Sequence, residues 1–153
     1  MNQLPDVSFH LVTSETADLL DRIDPDVFDH AVRPELLTRF LANDMNHLVV
    51  AVRDGEVVGM ASGISYVHPD KPLQMFVNEV GVADSQRRRG IGARLVQFLL
   101  EHARRIGCEE AWVATEIDNL PARALYAATG GSESDDLAVV YAYPLAPREA
   151  SRE

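Results

Sequence analysis

Residues 87 to 92 read Arg-Arg-Arg-Gly-Ile-Gly, at the point where a strand-like run gives way to helical periodicity. That combination suits a phosphate. The guanidinium groups supply full charge, Gly90 and Gly92 let backbone N–H groups approach an anion, and the start of a helix adds a partial positive charge. Ala93, Arg94 and Leu95 follow Gly92. They exclude both the Gly-Lys-Ser/Thr ending of a nucleotide-triphosphate loop and the Gly-x-Gly-x-x-Gly of a dinucleotide fold. Just upstream, Glu79-Val80-Gly81-Val82 leads into the loop, and a partly desolvated carboxylate at Glu79 is suited to act as a general base. His10, His30, His47, His68 and His102 show no ligand spacing, and Cys108 is the single cysteine. No metal site and no internal disulfide are expected.

The elements that must position these residues can be traced along the chain. Val7 to Val12 alternates weakly as a first strand, and Ser14 caps a short helix through Leu20. Pro34 opens a second helix with Leu36, Leu37, Phe40 and Leu41 on one face, ending near Asn43. Leu48–Val52 and Glu56–Ile64 flank Asp54-Gly55, a hairpin signal. A loop at His68-Pro69-Asp70-Lys71-Pro72 precedes a strand over Met75–Val82. Ile91, Leu95, Phe98 or Leu99, and His102 mark a long helix stopped by Gly107. A short strand at Ala111–Thr115, a helix over Pro121–Ala128 and a last strand over Leu137–Tyr143 complete the order β-α-α-β-β-β-α-β-α-β. The expected class is α/β (α+β), a mixed, largely antiparallel sheet flanked by helices, in one domain over residues 1–153 with a frayed polar tail at 147–153.

Charge narrows the partners. The chain has 153 residues and a formal charge of -10, which argues against a nucleic-acid partner. Arg87 to Arg105 holds six arginines and one acid, so the rest of the chain is more acidic still. One anionic ligand held locally and a cationic one met by an acidic surface would suit this distribution. No apolar run has membrane-spanning length, and Met1 to Asp6 lacks the pattern of a secretory signal. The expected location is cytoplasmic, with no membrane partner.

Arg87-Arg88-Arg89-Gly90-Ile91-Gly92 resembles the Gln/Arg-x-x-Gly-x-Gly/Ala signature of the GNAT N-acetyltransferases. Asn119-Leu120-Pro121-Ala122-Arg123-Ala124-Leu125-Tyr126 is similar to that superfamily's Asn-x-x-Ala-x-x-Leu-Tyr segment. The likeness runs from about Val7 to Leu145. It implies acetyl-coenzyme A as co-substrate and acetyl transfer to an amine. The texture around Glu79–Val82 and Gly107–Trp112 further resembles the small aminoglycoside 3-N-acetyltransferases, antibiotic-modifying enzymes whose acceptor is a cationic small molecule. By analogy with them a homodimer is expected.

The resemblance also implies roles. Glu79 would take the proton of the attacking ammonium, and Tyr126 would be the general acid for the departing thiolate. The cofactor would be held by Val80, Gly81, Val82, Arg87, Arg88, Arg89, Gly90, Ile91, Gly92, Ala93 and Asn119, with main-chain groups near Val80 and Val82 facing the pantetheine arm and thioester oxygen. Asn119 is equally suited to cap the helix that follows it. Among the acids, Asp24, Asp29, Glu116 and Asp136 are the candidates for the acceptor cleft. Two other readings remain open: a polyamine or protein amine as acceptor, and a non-catalytic acyl-coenzyme A-binding module.

Overall fold

The computed structural model describes residues 4–147. Five strands, β1 (Ser8–Leu11), β2 (Asn46–Arg53), β3 (Glu56–His68), β4 (Lys71–Val82) and β5 (Glu110–Trp112), form one sheet in that order. β1 to β4 are antiparallel neighbours and β5 joins β4 in parallel. Three α-helices accompany them: α1 (Pro34–Leu41), α2 (Ile91–Arg105) and α3 (Leu120–Ala128). The expected mixed, largely antiparallel sheet with flanking helices is present.

The run Leu48-Val49-Val50-Ala51 is buried throughout because both sheet faces are covered. Val49 and Ala51 meet Ile91, Leu95 and Leu99 of α2 on one face. Leu48 and Val50 meet Leu20, Val27 and the inner side of α1, Leu37, Phe40 and Leu41, on the other. Ile91, Leu95 and Leu99 are at most 1% exposed, so each stabilises the fold by about 1.5–3 kcal/mol and pins α2 to the sheet. The Asp54-Gly55 hairpin forms as expected, with positive φ at both turn residues (51° and 75°), the geometry that matches strand twist.

Several elements differ from the sequence expectation. The first helix is a 3-10 turn, Ala17–Asp21, preceded by Thr16 rather than capped by Ser14. The Thr13 N–H and the Thr16 hydroxyl bond each other locally, at 2.8 Å, and tighten the entry. The loop at His68–Pro72 shrinks to a tight turn, because β3 runs to His68 and β4 starts at Lys71. β5 is shorter than Ala111–Thr115 and starts one residue earlier. Residues 137–143 do not pair as a strand: Leu137, Val139, Val140, Tyr141 and Tyr143 are 79–89% exposed. Most of the tail at 147–153 lies outside the described residues.

A bulge shapes the end of β4. Ser62 pairs with Glu79 but Gly63 pairs with Val77, leaving Asn78 as an extra residue. Val77 and Val80, three apart, therefore both pack on the α2 face. Glu79 is exposed. Gly81 turns to the opposite face, where an added Cβ would lie within bonding-clash distance, 2.3 Å, of the Val27 carbonyl oxygen. The chain from Asp24 to Val27 is thus seated directly against β4, beside Glu79.

Candidate active site at the end of the fourth strand

β5 pairs with β4 only at Gln74, Met75 and Phe76. Beyond Phe76, among the described residues, no strand pairs with the outer edge of β4, so the main chain of Val77 to Val82 is open on that side. A short 3-10 turn, Asp84–Gln86, then delivers the chain to the loop before α2. The residues expected to hold a cofactor, Val80, Gly81, Val82 and the 87–93 segment, are consecutive along this path and bring an open strand edge to a helix start.

The loop geometry fits an anion. Gly90 is the N-cap of α2 at φ 84°, with no side-chain hydrogen bond to the first turn, so early N–H groups of a 15-residue helix lack a side-chain cap. Nothing lies within 4 Å of a Cβ built on Gly90, so the space above the helix start is clear. Arg88 also takes a left-handed φ of 62°, which is uncommon for a residue with a side chain and turns the loop sharply. Leu125 of α3 and Val82 border the space above Gly92, so α3 abuts the same helix end.

The three loop arginines are not equivalent. Arg87 Nη2 lies 3.0 Å from Asp84 Oδ1, with both side chains mostly exposed. Arg89 is tied down: Nη2 donates to Asp6 Oδ1 at 3.0 Å and Oδ2 at 3.1 Å, and Nη1 donates to Gln86 Oε1 at 2.6 Å. Arg53 Nη1 donates to the same Gln86 oxygen at 3.0 Å, and its Nε makes an ionic contact of 2.8 Å with Asp6 Oδ2 without hydrogen-bond alignment. Arg88 is exposed and has no ion pair within 4.0 Å among the described residues. The sequence did not foretell the Asp6–Gln86–Arg53 frame, since nothing in spacing links residues 83 apart. The basic island also divides in space: Arg104 and Arg105 sit at the far end of α2, roughly 20 Å along its axis from the loop.

Tyr126 is half-buried in α3, and burial pushes its hydroxyl pKa up. A proton is therefore firmly held there at neutral pH, as a donor requires. It lines a groove of about 320 Å³ between α2, β5 and α3, with Val77, Val96, Leu100, Trp112 and Val113 among its walls. Asn119 caps α3, its Oδ1 accepting from Ala122 N–H at 3.2 Å, which leaves its amide NH2 for another partner.

A second cavity, about 770 Å³, lies on the opposite face between the 3-10 turn and α1. Asp18, Asp21, Asp24 and Asp29 border it beside Leu20, Ile23 and Phe28. Asp24 and Asp29 are thus brought together, and the seating of Val27 on Gly81 places this segment next to β4. Glu116 and Asp136 are exposed and border neither cavity. Glu79 lies at neither cavity wall, and Tyr126 belongs to the groove on the α2 side. Among the described residues no three His, Cys, Asp or Glu side chains converge in a way that could hold a metal ion. No helix there is long and apolar enough to cross a membrane.

With this geometry in hand, known proteins can be set beside the chain. The model of the acetyltransferase (GNAT) family matches residues 13–130. The L-2,4-diaminobutyric acid acetyltransferase of Virgibacillus pantothenticus is 38% identical over 80 residues, 51% of this chain and 48% of the relative. The N-alpha-acetyltransferase RimI of Mycobacterium tuberculosis is 37% identical over 97 residues, 63% of this chain and 59% of the relative. An aminoglycoside N(6')-acetyltransferase type 1 of Serratia marcescens is 37% identical over 60 residues, 39% of this chain and 41% of the relative. The chain spans about half the length of these curated relatives. A solved aminoglycoside acetyltransferase from an uncultured soil metagenomic sample, in complex with sisomicin, superposes with a TM-score of 0.76 at 15% identity, covering 91% of this chain and 97% of that one. AAC(6')-Iy in complex with coenzyme A superposes at 0.72 and 18%, covering 92% and 95%. At such identities these likenesses establish the fold alone. Where the relatives' names state a position on the antibiotic it is 6', so the 3-N position implied by the sequence resemblance finds no support.

Proposed function

Because the chain belongs to the GNAT acetyltransferase family, we propose that it moves acetyl from acetyl-coenzyme A to a primary amine of a cationic small molecule, with an aminoglycoside as the leading acceptor. The observation that carries this reading is the junction of the open β4 edge with the start of α2, which has no side-chain cap. Acetyl-coenzyme A supplies an acyl group activated as a thioester and a pyrophosphate to be gripped. The pyrophosphate belongs at Gly90–Gly92 with Arg87 and Arg88, while Arg89 keeps the loop in shape. Open main-chain groups from Val80 to Val82 are suited to the pantetheine arm, with the free amide NH2 of Asn119 as a further contact.

The chemistry then needs two proton movements. Glu79 takes a proton from the acceptor ammonium, directly or through one water, and frees the nitrogen lone pair to attack the thioester carbon. The nitrogen–carbon bond forms, the carbon–sulfur bond breaks, and the sulfur leaves with the electron pair. Tyr126 donates its hydroxyl proton to that sulfur, favoured by a pKa that burial holds high. The acidic cavity with Asp24 and Asp29 adjoins the Glu79 side of β4 and would hold further ammonium groups of the acceptor. Glu116 and Asp136 would act only if acceptor contacts extend beyond it.

A thiol-release assay with an aminoglycoside, a polyamine and a peptide with a free N-terminus tests the acceptor class. The reading expects turnover on the aminoglycoside, with KM rising as salt screens the acidic cavity. Preference for the peptide, in line with the RimI likeness, or a salt-independent KM would replace the aminoglycoside with another amine. No release on any of the three would favour a module that binds acyl-coenzyme A without catalysis.

A further inference from the structure

Leu137-Ala138-Val139-Val140-Tyr141-Ala142-Tyr143-Pro144-Leu145 carries the strand pattern of the sequence, yet none of it is paired. Leu137, Val139, Tyr141, Tyr143 and Leu145 would share one face of an extended chain, and each is 79–93% exposed. Val140, on the other face, is 89% exposed. A run apolar on both faces has the composition of an interior strand, not of a solvent-exposed one.

The same molecule offers the complementary surface. β5 is the last strand of the sheet, only three residues long, with its outer edge unpaired among the described residues. Trp112 is 44% exposed, and the groove below β5 is walled by Val77, Val96, Leu100 and Val113. α3 has no buried residue at all. A strand edge and an apolar groove thus stand open while an apolar strand stands free.

The arm leaves the body at a fixed point. Gly131 N–H donates to the Tyr126 carbonyl at 2.9 Å, closing the end of α3, and Arg123 clasps Glu133 through contacts of 2.7 and 3.1 Å. From there every residue to Pro147 is exposed, so the arm is held away from its own groove. Five large apolar side chains per arm, on the order of 100–150 Å² each, give two arms roughly 1,000–1,500 Å² before main chain is counted, close to the standard size of a stable interface.

We propose that two copies of this chain exchange these arms, residues 137–145 of each lying against β5 and the adjoining groove of the other. The exchange is isologous, since each copy gives and receives the same surface, and it closes on two chains. It also completes the candidate site. The groove that receives the arm contains Tyr126, so the partner's arm becomes a wall of the cleft and shields the Tyr126 hydroxyl from bulk water. The inference rests on the fold and the exposed arm, not on the acetyl-transfer reading, and its test reads mass and connectivity.

Sedimentation of the full chain over a concentration series should give twice the chain mass. A Val139→Asp/Tyr141→Asp variant should sediment at the single-chain mass with its far-ultraviolet circular dichroism kept. A single-chain mass throughout for the unaltered protein, or a dimer indifferent to these two charges, would overturn the proposal. Because the double variant risks misfolding, a second measurement uses Cys108, which lines the receiving groove. Single cysteines at Val139, Tyr141 and Tyr143 are introduced in turn and oxidised with copper phenanthroline and dissolved oxygen. At one or more positions a reducible disulfide to Cys108 should join two chains, and Cys108→Ser should abolish it. A disulfide formed within one chain would show the arm folding onto its own body, and no disulfide to Cys108 from any position would place the arm elsewhere; either result contradicts the exchange.

Discussion

Asp6 holds Arg89 through both carboxylate oxygens, at 3.0 and 3.1 Å, across 83 residues of sequence. The hydrogen bond from Arg89, aided by the charges of Arg53 and Arg89, keeps the Asp6 carboxyl below the usual carboxylate range against the opposing effect of burial. A depressed carboxylate contributes its stability above its unfolded pKa and loses it only as pH falls through the lower folded value, so the clasp persists in mild acid. Arg89 is therefore a positioning residue, and its guanidinium is already committed.

Asp6→Asn should loosen the loop without removing any group that meets the cofactor. Acetyl-coenzyme A affinity is expected to fall by roughly two- to tenfold, as suits partly exposed ion pairs. Arg88→Ala, which leaves the clasp intact, should cost no more. Calorimetric titration of the two variants compares them, and full affinity in Asp6→Asn would show that the loop keeps its shape unaided.

Gly90→Val places a β-branched residue at φ 84°, where L side chains are strained, and fills the clear space above the helix start. Cofactor affinity should drop by more than in Arg88→Ala, while the melting temperature shifts by a few degrees. Cofactor titration is again the readout, and unchanged affinity would remove the loop from phosphate binding.

His47, 7% exposed, shares a chain of contacts in which its Nε2 lies 2.8 Å from Ser65 Oγ and its Nδ1 lies 2.9 Å from His102 Nε2. Burial, with the neighbouring His102, lowers the His47 pKa to about 4, and burial with the charge of Arg105 lowers that of His102. Both rings bind fewer protons folded than unfolded. Their contribution is complete above pH 6.5 and is lost as pH falls from there towards about 4, on the order of 1–3 kcal/mol for His47. Melting temperature against pH should show this slope, and His47→Gln should flatten it relative to the unaltered chain. Parallel curves would assign the acid sensitivity to carboxylates alone.

Legibility in the sequence followed the range of the interactions. Local signals served well: Asp54-Gly55 turned the hairpin, Pro34 began α1, and Gly107 ended α2 at its expected place. The phosphate loop was legible because its ingredients are contiguous. The bulge at Asn78 was not, because pairing register is a property of two strands and only Val77 and Val80, both apolar three apart, hinted at it. The Asp6 clasp left no trace in spacing. The strand pattern at 137–143 was read correctly as composition but has no neighbour within one chain, since a strand needs an edge to pair with.

Glu79→Gln and Tyr126→Phe separate the two proton movements. Glu79→Gln should lower kcat/KM by roughly two to four orders of magnitude with cofactor affinity nearly intact, and should change the acidic limb of the pH profile. Tyr126→Phe should lower kcat, most for acceptors whose chemistry limits turnover, and leave that limb in place. An acidic limb identical in Glu79→Gln and the unaltered enzyme would remove Glu79 from the mechanism.

The most direct test follows the acetyl group itself. The chain is mixed with acetyl-coenzyme A labelled in the acetyl carbon and a limiting aminoglycoside, quenched within a turnover, and the products are identified by mass spectrometry. Direct transfer predicts label on an amine of the acceptor in amounts equal to the free coenzyme A released, with none on the protein. Label accumulating on a protein side chain, or bound cofactor that stays acetylated beside every amine offered, would contradict the account.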